Sequence, residues 1–270
     1  MRYARFKSGS YRGCHHIEFP LPDILYHQSP ADLIKNYGQI RKSNAKITVA
    51  VINTKQYKTP FFIKAHDHST LLKKTLNVFG VNSARRIFAT AYRLRQSRIA
   101  VPKTYGYCFS PLQDNYSYLF FEALNDSQTL LQIGRSASLT KVLPSFPILA
   151  LAGRELANLH RSGYVHGDFK WGNLLVDVRL KRLYITDLDS VRAPISRHRL
   201  TAMAKDIGRF VLNAEEAGLT PSVIADFTDA YFSHLGITQQ TDVIKLNERY
   251  HVMLANLRRR HKKRYPERYR

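Results

Sequence analysis

The densest chemical signal in this 270-residue chain is H-G-D-F-K-W-G-N, His166 to Asn173. The apolar run L-L-V follows, and after a basic turn at Arg179 to Arg182 comes L-Y-I-T-D-L-D, Leu183 to Asp189. The two runs read as short strands. Because side chains alternate along a strand, a tight return between them brings Asn173 towards Asp187, with Asp168 in the loop just before. Three oxygen-bearing side chains then converge next to a lysine. Hard oxygen ligands for Mg2+ and fixed positive charge for phosphates are what binding a metal-polyphosphate requires.

The elements that must position these residues can be read from the hydrophobic pattern. Residues 1–30 are rich in aromatics, His and Pro, show no sustained period, and read as an irregular extension. The β-branched run Ile47 to Ile52 and the apolar run Phe61 to Lys64, separated by a turn signal near Pro60, predict two antiparallel strands. Ser83 is placed to cap a helix with Ala84, Ile87, Phe88, Ala91 and Leu94 on one face, and Pro102 lies beyond its end. Thr104 to Phe109 and Tyr116 to Glu122 read as further strands. After Glu122 the texture becomes helical, at Leu130 to Ile133, Ile148 to Leu159, Met203 to Ala214 and Val243 to Leu257. The expectation is an α+β layout: a β-rich N-lobe with one helix over 31–122, a larger helical C-lobe over 123–257 that carries the hairpin 166–189, and a basic tail over 258–270. A junction near Glu122 to Asn125 is a natural place for a ligand cleft. The tail carries eight Lys or Arg and one Glu, and reads equally as a solvated end or as a contact for an anionic surface.

Composition narrows the class. With 44% hydrophobic residues the chain is neither disordered nor collagenous. Its two cysteines, Cys14 and Cys108, have no paired spacing, so neither a disulfide framework nor a cysteine-based zinc site is expected. The tracts His15-His16 and His66-Asp67-His68 imply no third ligand, and no zinc is assigned. A net charge of +22 points to polyanions: nucleic acid, an anionic lipid surface or a phosphate-rich substrate. No run reaches signal-peptide or membrane-spanning length, so a cytoplasmic, soluble or peripheral protein is expected.

The pattern from His166 to Asn173 resembles the protein-kinase-like fold, whose catalytic loop reads H-x-D-x-K-x-x-N and whose metal-binding Asp follows one hairpin later. His166, Asp168, Lys170 and Asn173 match position for position, whereas T-D-L-D places Asp189 where protein kinases have the glycine of D-F-G. The resemblance implies a two-lobed fold that binds ATP and Mg2+. Asp168 would accept or orient the acceptor proton and Lys170 would neutralise the transferring phosphoryl. Asn173 and Asp187 would hold the metal, and Lys64 would grip the α- and β-phosphates. Glu122, Ala123 and Leu124 would form the hinge against adenine, with Leu175 under the ring. Asp206, in A-K-D-I-G-R-F, resembles the acid that buttresses the catalytic loop, and Asp189 would either add a metal ligand or cap the loop after it.

Two departures point to a branch. The helix predicted from Ser83 to Gln96 has no acid to pair with Lys64, leaving Asp187, the nucleotide, Glu18 or Asp67 as candidate partners. The segment before Ile47 holds a single glycine, Gly38, in place of a glycine-rich loop, with Arg41, Lys42 and Lys46 available to help cover phosphates. Together with R-I-A-V-P-K and I-T-D-L-D-S-V-R, the catalytic hairpin looks like the Kdo/WaaP family of lipopolysaccharide kinases, a resemblance running from about Thr48 to Phe210. It implies ATP-dependent phosphorylation of a heptose or Kdo hydroxyl on the lipopolysaccharide core or a lipid A precursor. The expected place is the anionic inner face of the inner membrane, with no nucleic-acid partner. The rivals are a protein kinase or an aminoglycoside-type phosphotransferase on the same fold, and a non-catalytic polyanion-binding relative. The 18 residues between Asp187 and Asp206 leave little room for a long activation segment, which argues against a regulated protein kinase.

Overall fold

The computed structural model describes residues 2–53, 59–111, 114–136, 145–236 and 240–269. The architecture is α+β, and the chain divides into two units: Met1–Arg93 with Pro102–Asn125, and Leu94–Val101 with Asp126–Arg270.

The first unit runs β1 (Tyr3–Ser8), β2 (Tyr11–His16), α1 (Leu21–His27), α2 (Pro30–Tyr37), β3 (Gly38–Ser43), β4 (Ile47–Ile52), β5 (Phe61–Asp67), α3 (Leu71–Val78), the start of α4 (Ser83–Gln96), β6 (Thr104–Phe109) and β7 (Tyr116–Glu122). Its antiparallel sheet has the order β1-β2-β6-β7-β5-β4-β3. The irregular extension expected over residues 1–30 is therefore corrected: Tyr3 to His16 form a hairpin that turns at Gly9, φ +55°, and pairs with β6. Gly and Lys are poor strand formers and interrupt the pattern of Tyr3, Phe6 and Tyr11, and here pairing with β6 overrides that local propensity. Gly13 is required for that pairing, because a Cβ there would lie 1.9 Å from the Tyr107 carbonyl oxygen. Leu21, Ile24 and Leu25 of α1 and Leu33 of α2 pack with Ile52, Phe61, Ile63, Ala65 and Phe120 in one buried cluster. Each such side chain contributes about 1.5–3 kcal/mol when fully buried, so these residues complete the core of the unit.

The hairpin of β3 and β4 occupies the place of the glycine-rich loop, but its turn has no glycine. Asn44 closes it, its side-chain oxygen accepting from the Lys46 and Ile47 amides at 2.9 and 3.0 Å, while Gly38 sits at the start of β3. The helix cap also differs from expectation. Asn82 accepts from the Arg85 amide at 2.9 Å, and Ser83 is already helical.

The second unit holds β8 (Gln128–Thr129), α5 (Leu130–Arg135), α6 (Ile148–Arg161), β9 (Leu174–Asp177), β10 (Arg182–Ile185), α7 (Arg199–Glu216), α8 (Pro221–Leu235) and α9 (Gln240–Arg264). The three strands form a small sheet ordered β10-β9-β8. Helix α8, which the apolar pattern did not announce, starts at Pro221 after Thr220 and ends at Gly236 in the left-handed conformation. Phe210 of α7 stacks on Phe227 of α8 with ring centroids 3.8 Å apart and also meets Phe169 and Trp171. That aromatic cluster ties the segment from Phe169 to Trp171 to the helical core. The basic tail is not a separate segment at its start, because α9 runs unbroken through Arg258 to Arg264.

Candidate active site

The segment from His166 to Asn173 is held from below by one face of α7. Asp206, fully buried, accepts from the backbone amides of His166 at 2.7 Å and Gly167 at 2.9 Å. One turn on, Arg209 contacts Asp168 Oδ1, and at Asn213 the side-chain oxygen accepts from the Trp171 amide at 3.0 Å. Residues at i, i+3 and i+7 lie on one helix stripe, so a single element sets the loop at three points. Asp206 was expected in this role, whereas Arg209 and Asn213 were not. Their only signal in the sequence was a polar side chain three and seven residues after Asp206 on the same helix. Gly167 allows the tight path, with φ +79° and a Cβ that would meet the Ser190 carbonyl oxygen at 3.0 Å.

Asp168 carries a dense set of contacts. Besides Arg209 on Oδ1, its Oδ2 meets Lys170 Nζ at 2.8 Å and accepts from Asn173 Nδ2 at 3.2 Å. Asn173 Nδ2 also donates to the Asp168 carbonyl at 2.9 Å. With both amide hydrogens directed to Asp168, the Asn173 side-chain oxygen remains as an acceptor for something else. Burial lowers the pKa of the half-buried Arg209.

The β9–β10 hairpin brings the second acid to this point. Leu174 pairs with Ile185, and beyond that pair the Thr186 amide and hydroxyl both donate to the Asn173 carbonyl at 2.9 Å. Thr186 stands directly opposite Asn173, and Asp187 follows it. Asp187 has φ 56° and ψ 58°, the left-handed region that side chains other than Gly, Asn and Asp rarely adopt. Asp189 lies in the short helical turn Leu188–Ser190. Leu175, half-buried, faces away from the buried pair Leu174 and Val176.

His166, Asp168, Lys170, Asn173, Asp187 and Asp206 thus lie in one region of the second unit, and Lys64, Glu122 and Leu124 in the first. Lys64 is buried at the centre of β5, paired with Val49 and Leu119, on the face opposite Ile63 and Ala65. The candidate partners Glu18 and Asp67 have local contacts: Glu18 lies near His16 and Lys103, and Asp67 accepts from Ser69. The Glu122 amide donates to the Lys103 carbonyl and its carboxylate accepts from the Lys103 amide.

Two buried histidines complete the support. His166 Nε2 meets the Thr186 carbonyl at 2.9 Å while its Nδ1 accepts from the Asp168 amide at 3.3 Å, which assigns the neutral Nε2–H tautomer. His160 lies between Asp206 Oδ2 at 3.4 Å and the Tyr231 hydroxyl at 2.7 Å. Burial pushes both imidazoles below the ordinary value of 6.5. The unfolded chain then binds protons that the folded chain excludes, so stability is complete above about pH 6.5 and falls as pH drops below it. The urea midpoint is expected to be lower at about pH 5.5 than at about pH 7.5, and His160→Gln should narrow that gap. An unchanged gap would remove His160 as a source.

A search of curated proteins finds no match to this chain. Among described residues, no helix is long and apolar enough to cross a membrane. The model for the lipopolysaccharide kinase (Kdo/WaaP) family matches residues 47–231, more than half of the chain, from the start of β4 through the catalytic loop, its hairpin and its α7 support. On that match the chain belongs to the lipopolysaccharide kinase (Kdo/WaaP) family and is a phosphotransferase whose acceptor is a sugar hydroxyl.

Proposed function

We propose that this protein transfers the γ-phosphoryl group of ATP, with Mg2+, to a heptose or Kdo hydroxyl of the lipopolysaccharide core. The observation that carries the reading is the arrangement of Asp168, Asn173 and Asp187, set by α7 on one side and by Thr186 on the other. The donor chemistry suits Mg2+, since the amide oxygen of Asn173 and the carboxylate of Asp187 are hard ligands. Bound there, Mg2+ supplies charge neutralisation on the phosphate oxygens. Asp168, oriented by Arg209, accepts the proton of the acceptor hydroxyl or aims it for in-line attack. Lys170, whose side chain is about half exposed, swings from Asp168 to the transferring phosphoryl. Lys64 positions the α- and β-phosphates, Glu122 and Leu124 present hinge backbone to adenine, and Leu175 packs beneath the ring. Asp189 and His166 serve as supporting residues.

The place of action follows from the same reading: peripheral, on the anionic cytoplasmic face of the inner membrane. Helix α3 and the segment after it support this. Leu71, Leu72 and Phe79 are 82%, 71% and 76% exposed, and Leu76, Val78 and Val81 are exposed as well, while Lys73 and Lys74 stand among them. Exposed apolar side chains beside lysines suit insertion into an anionic lipid surface.

Incubation with labelled ATP and Mg2+ tests the assignment. Label is expected on purified core oligosaccharide, and not on casein or an aminoglycoside. The same protein should sediment with vesicles containing phosphatidylglycerol and lose that association in Leu72→Ser/Phe79→Ser. Label on casein alone would redirect the assignment to a protein kinase.

A further inference from the structure

The second unit contains a cavity of about 1040 Å³ that shares a wall with the catalytic loop. Trp171, two residues before Asn173 and the only tryptophan of the chain, lines it together with Leu131, Gly134 and Leu212. The indole packs so closely on α5 that a Cβ on Gly134 would lie 2.5 Å from the ring. The Trp171 indole N–H is buried, and no acceptor among the described residues meets it. The side chain as a whole is fully buried, so it backs the cavity wall from within the core and leaves Leu131, Gly134 and Leu212 as the apolar surface that a ligand meets.

The rim is charged. Arg135 of α5 and Arg258, Arg259 and Lys262 of α9 surround it, against the carboxylates of Glu215 and Glu216. Those two acids are already engaged, Glu215 with Arg258 and Glu216 with His261 at 2.7 Å. Among the described residues, neither Arg135 nor Lys262 forms an ion pair, and with four Lys or Arg side chains against two carboxylates the rim keeps an excess of positive charge. The basic end of the chain, followed along α9, is thus one wall of a cavity that begins at the catalytic loop. An apolar floor with a cationic rim suits a sugar ring that carries an anionic group.

We propose that this cavity is an acceptor subsite, which seats a non-reacting, negatively charged sugar of the glycan over Leu131 and Leu212 and pairs its anion with Arg135 and Lys262. The proposal rests on the kinase reading above and adds the part of the acceptor that is recognised. The anion is a phosphate or a sugar carboxylate, which share the chemistry the rim selects. Remote binding of this sort holds the reacting hydroxyl in place without touching the transferred group.

Because Trp171 is the sole tryptophan, its emission reports occupancy without turnover. Titration of the full-length protein with purified core oligosaccharide is expected to change that emission saturably. Arg135→Glu/Lys262→Glu should weaken the titration at least about tenfold, as loss and reversal of two complementary charges predicts. In transfer assays the same variant should raise the acceptor KM by a similar factor and leave the ATP KM unchanged. Phosphatase-treated and carboxyl-reduced oligosaccharide identify the anion, since the treatment that abolishes binding names it. Unmoved emission, equal affinity in the charge-reversed variant, or full binding by both treated glycans would overturn the subsite. Transfer to the glycan with unmoved emission would reject the cavity and keep the kinase reading. A saturable, charge-dependent titration without any transfer would do the reverse.

Discussion

Asp187→Asn is expected to lower phosphoryl transfer by on the order of 10³-fold, equivalent to about 4 kcal/mol of transition-state stabilisation, with the fold intact. Asparagine is the informative replacement because Asp187 sits at φ 56°, a conformation Asn tolerates nearly as well as Asp. It removes the charge while keeping the backbone and the shape. On the proposed reading, that charge is what holds the metal against polyphosphate. Single-turnover transfer to core oligosaccharide measures the loss, and the urea midpoint should stay within about 0.5 kcal/mol of wild type. Undiminished transfer in the variant would remove Asp187 from the chemistry. Asp187→Ala should lose activity equally but destabilise more, since alanine gains nothing in the left-handed region.

Asp206→Ala is expected to cost about 3–5 kcal/mol of stability, the range for breaking a buried, hydrogen-bonded charged network. The carboxylate is fully buried and accepts from two loop amides and from His160. Removing it leaves two buried N–H groups without partners, each costing about 1–3 kcal/mol. Against a typical stability of about 5–15 kcal/mol this is a large share. Asp206→Asn should rescue little, because its NH2 must face one of two amide donors that both need an acceptor. Chemical denaturation of each variant measures the effect, and a midpoint indistinguishable from wild type would show that the loop does not depend on α7. Transfer should fall as well, since Asp168 is positioned by the same helix through Arg209.

The two variants divide the site into what local sequence records and what it does not. The catalytic segment was legible because its residues are close in sequence and their spacing is tied to one loop and one hairpin. The hairpin sets Thr186, rather than Asp187, directly opposite Asn173, and Asp187 stands one residue beyond it. Asp206 was legible by resemblance. Arg209 and Asn213 were not, because the periodicity of an apolar helix says which face is buried but not which loop lies under it.

The N-terminal thirty residues show the same limit at the level of the fold. Gly9-Ser10 is a hairpin signal, but the flanking Lys and Gly obscure the strands it joins, and β2 gains its order from pairing with β6 nearly a hundred residues later. The exposed apolar face of α3 was equally hidden, since an apolar spacing reads as core until the fold shows it uncovered among the described residues.

From the sequence alone came the α+β class, the β9–β10 hairpin, the family and the strongly basic character, all properties of short-range pattern and composition. Only the tertiary structure decided that the amino terminus is part of the sheet and that α7 holds the loop at three points. It also placed the basic end of α9 beside Trp171. Each of these depends on contacts between residues far apart along the chain, whose partners are selected by packing rather than by any local preference.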